Sequence, residues 1–237
     1  MQWSGEGLII GVRRHGETSV IAEIMAAGRG RQLGLVRGGR SQKLAPMLQC
    51  GNSVSATWRA RLEDHLGTFA LEPLQSRAAA LILDRRRLYL AEVVCEHLHL
   101  LPERDPHDRL LGMALHLLDA DEGPEVIGRW LAEFELVLLD ELGFGLDLSS
   151  CAATGVTEEL EYVSPKSGRA VSRTAAEPYR DRLLRLPPFL IDGTAARDTD
   201  IADALRLTGH FLDLHVWMAR NVNPPAMRDG LVRLLAG

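Results

Sequence analysis

Residues 51–62 read GNSVSATWRARL. From Ser53 onward, polar and apolar side chains alternate. Val54, Ala56, Trp58, Ala60 and Leu62 fall on one face, and Ser55, Thr57, Arg59 and Arg61 on the other, because successive side chains of a strand point to opposite sides. Trp58 is therefore expected in a core, with Arg59 and Arg61 outside it. Upstream and just downstream, similar short segments recur near 6–14, 18–26, 31–37 and 66–72. They are separated by Gly16, by Gly28 and Gly30, by Gly38-Gly39 and by Gly67. Five short strands within residues 1–75 imply a small closed barrel such as an OB-fold, which leaves no open sheet edge and often binds oligonucleotides on one face.

After Pro73 the period changes from two to about 3.6. Helices are expected over 78–101, 109–118, 124–143 opening on Pro124, 176–185, 199–220 capped by Asp198 or Thr199, and 224–236. Residues 76–237 thus read as a helical domain, and the whole chain as an α+β protein. An insert at 146–175 breaks the helical pattern: segments at Glu161–Ser164 and Arg169–Ser172 flank Pro165-Lys166-Ser167-Gly168, the pattern of a hairpin.

The whole chain carries a net charge of −5, yet residues 1–79 hold ten Lys or Arg against six Asp or Glu, leaving the remainder at −9. Within Gly28–Leu62 stand Arg29, Arg31, Arg37, Arg40, Lys43, Arg59 and Arg61, with no acid among them. Arg13 and Arg14 are weaker members of the same set. Such enrichment suits a phosphate-facing surface, since each neutralised phosphate releases counterions. Charge alone also allows a solvated basic face. Gly38–Lys43 reads as a mobile loop.

Several function classes are absent from the sequence. There is no GxxxxGK[ST], GxSxG or HExxH motif. Gly5, Gly7 and Gly11 lie before and within a strand, not in the strand-to-helix turn of a dinucleotide site. Cys95, His97 and His99 alternate on a helix and so point apart. Cys50, Cys95 and Cys151 are too scattered for a disulfide framework. No enzyme chemistry is written here. The start, MQWSGEGLII, lacks a secretory pattern and no apolar run reaches membrane-spanning length, which points to the cytoplasm and to no membrane partner.

The chain resembles the RecO family of recombination and DNA-repair mediators. The resemblance rests on Glu6-Gly7-Leu8-Ile9-Ile10-Gly11, on Gly16-Glu17-Thr18-Ser19, on Gly30 to Ser41 (GRQLGLVRGGRS) and on Leu48-Gln49-Cys50-Gly51-Asn52. It continues through Phe134 to Leu139 (FELVLL), Leu142 to Leu148 (LGFGLDL) and Cys151. It implies an N-terminal OB-fold joined to a helical domain, and a non-enzymatic protein of the cytoplasm and nucleoid. Such a protein binds single- and double-stranded DNA, anneals complementary strands and, with RecR, loads RecA onto DNA coated by single-strand binding protein. The basic residues above would then contact DNA.

Two departures from the family pattern stand out. Many members carry a four-cysteine zinc site in the insert, whereas here Cys151 is followed by Thr154, Val171 and Thr174 at the other expected positions, so zinc is expected to be absent. Cys50 stands where proline is frequent. The family's helical domain is implicated in holding the acidic, apolar tail of single-strand binding protein, which puts Arg129, Trp130 and Phe134 forward as partner contacts; the alternative is that Trp130 and Phe134 are core. Two other readings compete: an adaptor whose basic barrel face binds an acidic protein in place of DNA, and a metal-dependent hydrolase within the helices.

Overall fold

A computed structural model describes every residue except 63, 64, 195 and 197, with the backbone alone for Asp198. The chain divides into two compact units, Met1–Asp119 and Ala120–Gly237.

The first unit is built on five strands: β1 (Gln2–His15), β2 (Ser19–Ala26), β3 (Gly30–Val36), β4 (Ser53–Arg59) and β5 (Thr68–Gln75). They close into a barrel in the order β1-β2-β3-β5-β4, the OB arrangement expected from the sequence. Closure depends on the length of β1. Its first half pairs with β4, Trp3 opposite Trp58, and its second half with β2, Val12 opposite Ala22. A bulge between Ile9 and Gly11 bends the strand where it changes partner.

Trp3, Ile9, Ala22, Ile24, Val54, Ala56, Trp58 and Phe69 fill the barrel. The Trp3 and Trp58 rings stack with centroids 6.3 Å apart, and Phe69 meets Trp3 edge-on at 6.0 Å. Trp58 donates its indole N–H to Leu33 O at 3.0 Å, so its one polar atom is satisfied inside. Gly67 lies flat against that indole; a Cβ there would fall 2.2 Å from Trp58 Cε2. Leu8 and Ile10 point out of the barrel and are buried all the same, because a helix packs on β1.

That helix is the second of three in this unit: α1 (Ala78–Leu83), α2 (Arg85–Leu98) and α3 (Asp108–Asp119). The sequence pattern suggests one helix over 78–101, and the structure breaks it at Asp84. Asp84 is extended, with φ of −127°, and its carboxylate accepts from Arg86 N at 2.8 Å and Arg87 N at 3.3 Å. The apolar period runs through the break unchanged, which hides a capped start in mid-pattern. The compact unit thus continues beyond the change of period at Pro73 to include all three helices.

The second unit packs three helices together: α4 (Pro124–Glu141), α7 (Asp198–Leu212) and α9 (Arg228–Ala236). Between α4 and α7 lies the insert. Its expected hairpin forms as β6 (Leu160–Val163) and β7 (Ala170–Ser172), and a third strand that the sequence did not suggest, β8 (Leu184–Arg185), adds to β6. The helix expected at 176–185 is instead a short α5 (Arg173–Ala176), a 3-10 segment Glu177–Arg182, and β8; Pro178 lies at the start of that segment. A short α6 (Phe189–Asp192) follows. The expected 199–220 helix is interrupted by a π-turn at Asp213–Trp217 and resumes as α8 (Met218–Arg220), ending where Asn221 takes a left-handed conformation.

One ion pair is sealed inside the second unit. Glu135 of α4 is fully buried, and Arg228 of α9 is only 8% exposed. Arg228 Nε and Nη2 each donate to a carboxylate oxygen of Glu135 at 2.8 Å, Nη2 also reaches Leu205 O at 2.9 Å, and Thr208 donates its hydroxyl to the same carboxylate. Three helices are thereby fixed in register. Truncating one member strands a buried charge, so Arg228→Met should lower the unfolding free energy by about 3–5 kcal/mol. Glu135→Met/Arg228→Met should recover most of that loss. Urea denaturation of both variants against wild type measures the pair.

Candidate nucleic-acid interface

The fold separates the sequence's cations by whether an acid lies beside them. Arg31 of β3, opposite Met25 of β2, forms a bridge to Glu103. Its guanidinium pairs with Glu23 and reaches Glu103 at 3.9 Å, and its side chain is 18% exposed. Its charge is matched, so it stands apart from the set with which the sequence groups it.

The others are placed differently. Arg13 and Arg14 end β1, Arg37, Arg40 and Lys43 occupy the segment after β3, and all five are exposed. Arg14 and Arg40 share a cleft of about 550 Å³ with Val12, Val20, Leu48 and Cys50. At the opposite end of β1, Arg59 and Arg61 line a second open cleft of about 500 Å³ with His65, Leu66 and Thr68. Arg59 donates to Gln2 Oε1 at 3.0 Å. Arg29 belongs to a third pocket, of about 180 Å³, where its guanidinium lies 5.3 Å over the Trp3 ring. Among the described residues none of these eight cations forms an ion pair.

The Gly38–Lys43 segment, which the sequence suggests is mobile, is a run of fastened turns. Ser41 N donates to Gly38 O at 2.9 Å and Ala45 N to Ser41 O at 2.9 Å. Arg40 N donates to Thr18 O at 3.0 Å and its guanidinium to Glu17 O, tying the segment to the β1–β2 turn. Met47 and Leu48 continue into the barrel core. The cations here are carried on a fixed scaffold, which reduces the ordering cost of contacting a ligand.

Arg104 is a cation that sequence reasoning passes over. It lines the Arg29 pocket, with a left-handed backbone (φ 63°) and its N–H on Arg31 O at 2.9 Å. Its neighbours Glu103, Asp105 and Asp108 conceal it in a charge count. Only the close packing of its loop on Gly30, where a Cβ would fall 1.9 Å from Asp105 O, brings it there.

In the second unit Arg129 is committed within α4 and its surroundings. Its Nε donates to Glu133 at 2.8 Å, Nη1 to Thr194 O at 3.2 Å, and its guanidinium lies 5.7 Å over Phe189. Phe134 is fully buried and belongs to the core, while Trp130 is half-buried. The suggested partner contact therefore keeps no exposed aromatic at Phe134 and no unmatched charge at Arg129.

At the insert, Cys151 Sγ accepts from Ser172 N at 3.3 Å and Ser172 Oγ at 3.5 Å. Ser172, not Val171, is the β7 residue that faces it. Among the described residues no three His, Cys, Asp or Glu side chains gather to hold a metal. One thiol beside hydroxyls does not fit a structural zinc, which takes four nitrogen or sulfur ligands.

Burial pushes the Cys151 thiol up, but hydrogen bonds from the Ser172 hydroxyl and N–H, from Thr154 and from Ala153 N outweigh it and bring the thiol down to about 6. A folded value below the ordinary 9.0 means that the thiolate's stabilising effect is full at alkaline pH and fades as pH falls through about 6. Thiolate absorbance near 240 nm should therefore titrate with a midpoint near 6 in wild type and lose that step in Cys151→Ser. Denaturation across the same range should show wild-type stability rising with pH relative to the variant.

A closed OB-type barrel with unmatched cations at both ends, followed by a helical unit with a three-stranded insert, defines the class of this protein. The family model described as "Recombination protein O N terminal" matches residues 1–77, and "Recombination protein O C terminal" matches residues 82–222. The chain belongs to the recombination protein O family. It is 54% identical over 240 residues to the DNA repair protein RecO of Methylobacterium nodulans, covering 99% of this chain and 98% of that one. The Rhizobium etli protein of the same name is 52% identical over 98% of this chain and 92% of its own. That of Xanthobacter autotrophicus is 56% identical over 90% and 88%. No helix among the described residues is long and apolar enough to cross a membrane.

Proposed function

We propose that this chain is a non-enzymatic recombination mediator that binds single- and double-stranded DNA through the exposed cations of its barrel. It anneals complementary strands and, in the cytoplasm and on the nucleoid, helps RecR load RecA onto DNA covered by single-strand binding protein. The observation that carries the DNA part is the sorting of charge: Arg31 is neutralised by Glu23, while Arg14 and Arg40 share an open cleft without an acid partner. Arg13, Arg37 and Lys43 are exposed near that cleft in sequence, and Arg59, Arg61 and Arg29 add exposed cations in separate pockets. Family membership supports the mediator role. The sequence offers no recognition helix or aromatic platform for reading bases, so binding should be largely independent of sequence and should weaken as salt rises.

Fluorescence anisotropy with a labelled single-stranded oligonucleotide over a salt series tests this. Arg14→Glu/Arg40→Glu should bind about tenfold more weakly and lose roughly 1.4 from the slope of log affinity against log salt, two single-strand phosphate contacts at about 0.7 each. Arg31→Ala should leave the slope unchanged. Equal losses in both variants would remove the assignment, and no binding by wild type at low salt would favour the adaptor reading. The insert is proposed to hold without zinc: protein purified without chelators should contain well under one equivalent by metal analysis.

A further inference from the structure

The fold brings two cysteines from distant parts of the sequence to the bulge of β1. Cys50 donates its thiol to Ile10 O at 3.2 Å, and Cys95 of α2 lies with its sulfur 3.9 Å from Ile9 O. Gly51 N, one residue beyond Cys50, donates to that same Ile9 carbonyl at 2.9 Å. Gly51 in turn lies against Ala91, one turn before Cys95 on α2. The two sulfurs thus sit beside consecutive carbonyls of β1, near enough for each to shift the acidity of the other. They differ in access: Cys50 is exposed and Cys95 buried. The neighbouring Cys95 draws the Cys50 thiol below its ordinary value, against the opposing effects of burial and of Glu92. Cys50 and burial push Cys95 well up. Cys50 is the accessible thiol with more thiolate character, and Cys95 the protonated thiol held behind it.

We propose that Cys50 and Cys95 form a hydroperoxide-reactive dithiol that closes to an intramolecular disulfide. The Cys50 thiolate attacks the terminal oxygen of a hydroperoxide. The O–O bond breaks, the alcohol (water, for hydrogen peroxide) leaves with a proton, and Cys50 becomes a sulfenic acid. Cys95 then attacks the Cys50 sulfur. The S–O bond breaks, hydroxide departs and takes the Cys95 proton as water. Two electrons pass from the thiols to the peroxide, and a thiol reductant reverses the change.

Cys50 also lines the cleft that holds Arg14 and Arg40. Closing the disulfide draws Cys50 toward Cys95 and tightens the end of the segment that carries Arg37, Arg40 and Lys43. Oxidation therefore weakens anion binding at this cleft, a consequence that rests on the DNA reading above.

The experiment treats the full chain with a slight excess of hydrogen peroxide, then maps peptides without reduction and measures oligonucleotide affinity. Wild type should lose two hydrogens in mass, yield a Cys50–Cys95 linked peptide, and bind the oligonucleotide at least threefold more weakly until dithiothreitol restores it. In Cys95→Ser, Cys50 should stay as a sulfenic acid that dimedone traps, and Cys151→Ser should behave as wild type. Cys50 passing directly to the sulfinic acid, or bridging two chains while Cys95 stays reduced, would overturn the dithiol. A disulfide with unchanged affinity would overturn its link to the cleft. Absence of binding even by reduced protein would instead overturn the DNA reading, with the peptide map still deciding the dithiol.

Discussion

Asn52 holds the first unit together. It is almost wholly buried, and its side chain makes four hydrogen bonds: Nδ2 to Pro46 O and Met47 O, and Oδ1 from Arg77 N and Ala78 N. An amide that accepts twice and donates twice is as fully used as such a group can be in a dry interior. The Arg77 guanidinium wraps the same point, reaching Gly51 O, Ser53 Oγ, Gln75 Oε1 and both oxygens of Asp119. Asp119 is accordingly held below the ordinary carboxylate range by its bonds to Arg77. The entry to β4, the end of the long β3–β4 segment, the start of α1 and the end of α3 meet in this network. Each buried group left without its partner would cost about 1–3 kcal/mol, which is why so short a connection can fix so many elements.

The placement of charge follows from that arrangement. With α2 packed on β1, Arg31 of β3 is met by Glu23 and Glu103, while Arg13 and Arg14 at the end of β1 stay exposed. His99 joins the same corner, 3.6 Å from Glu23, where burial lowers its basicity. The ends of the barrel stay open, and the cations on them meet solvent. A guanidinium beside a carboxylate and one beside an open cleft are the same letter in the sequence; only the folded neighbours separate a matched charge from one left to solvent.

Much of the barrel is legible from period alone. Trp58 lies inside, as the alternation from Val54 to Trp58 requires, but the strand ends at Arg59 and Leu62, expected on the core face, is 56% exposed; glycines follow the ends of β1, β2 and β3. The hairpin around Pro165–Gly168 is legible for the same reason: turn residues between short apolar runs specify their own geometry locally. What escapes the sequence depends on contacts between distant residues. The turns of Gly38–Lys43 look flexible because glycine is permissive, and only the bonds to Glu17 and Thr18 show them fixed. Arg104 is hidden by the acids around it, Asp84 by an apolar period that continues past it. Cys50 and Cys95 show no spacing motif, since the bulge that unites them belongs to a third segment.

The insert shows how a small sheet can be held when its corner offers one thiol in place of several metal ligands. A structural zinc in isolated finger peptides contributes on the order of 10 kcal/mol or more, whereas each hydrogen bond to Cys151 is worth about 1 kcal/mol. On the zinc-free reading proposed above, the difference comes from elsewhere in the insert. β8 extends the hairpin to three strands, Leu160, Tyr162, Val163, Ala170 and Val171 are buried, and Arg185 stacks 4.8 Å over Tyr162. Arg173 and Arg185 both reach Glu161 on the exposed side. Apolar burial of several side chains at about 1.5–3 kcal/mol each is of the size needed. The added strand and its apolar face, more than the single sulfur, are what let these residues close the insert.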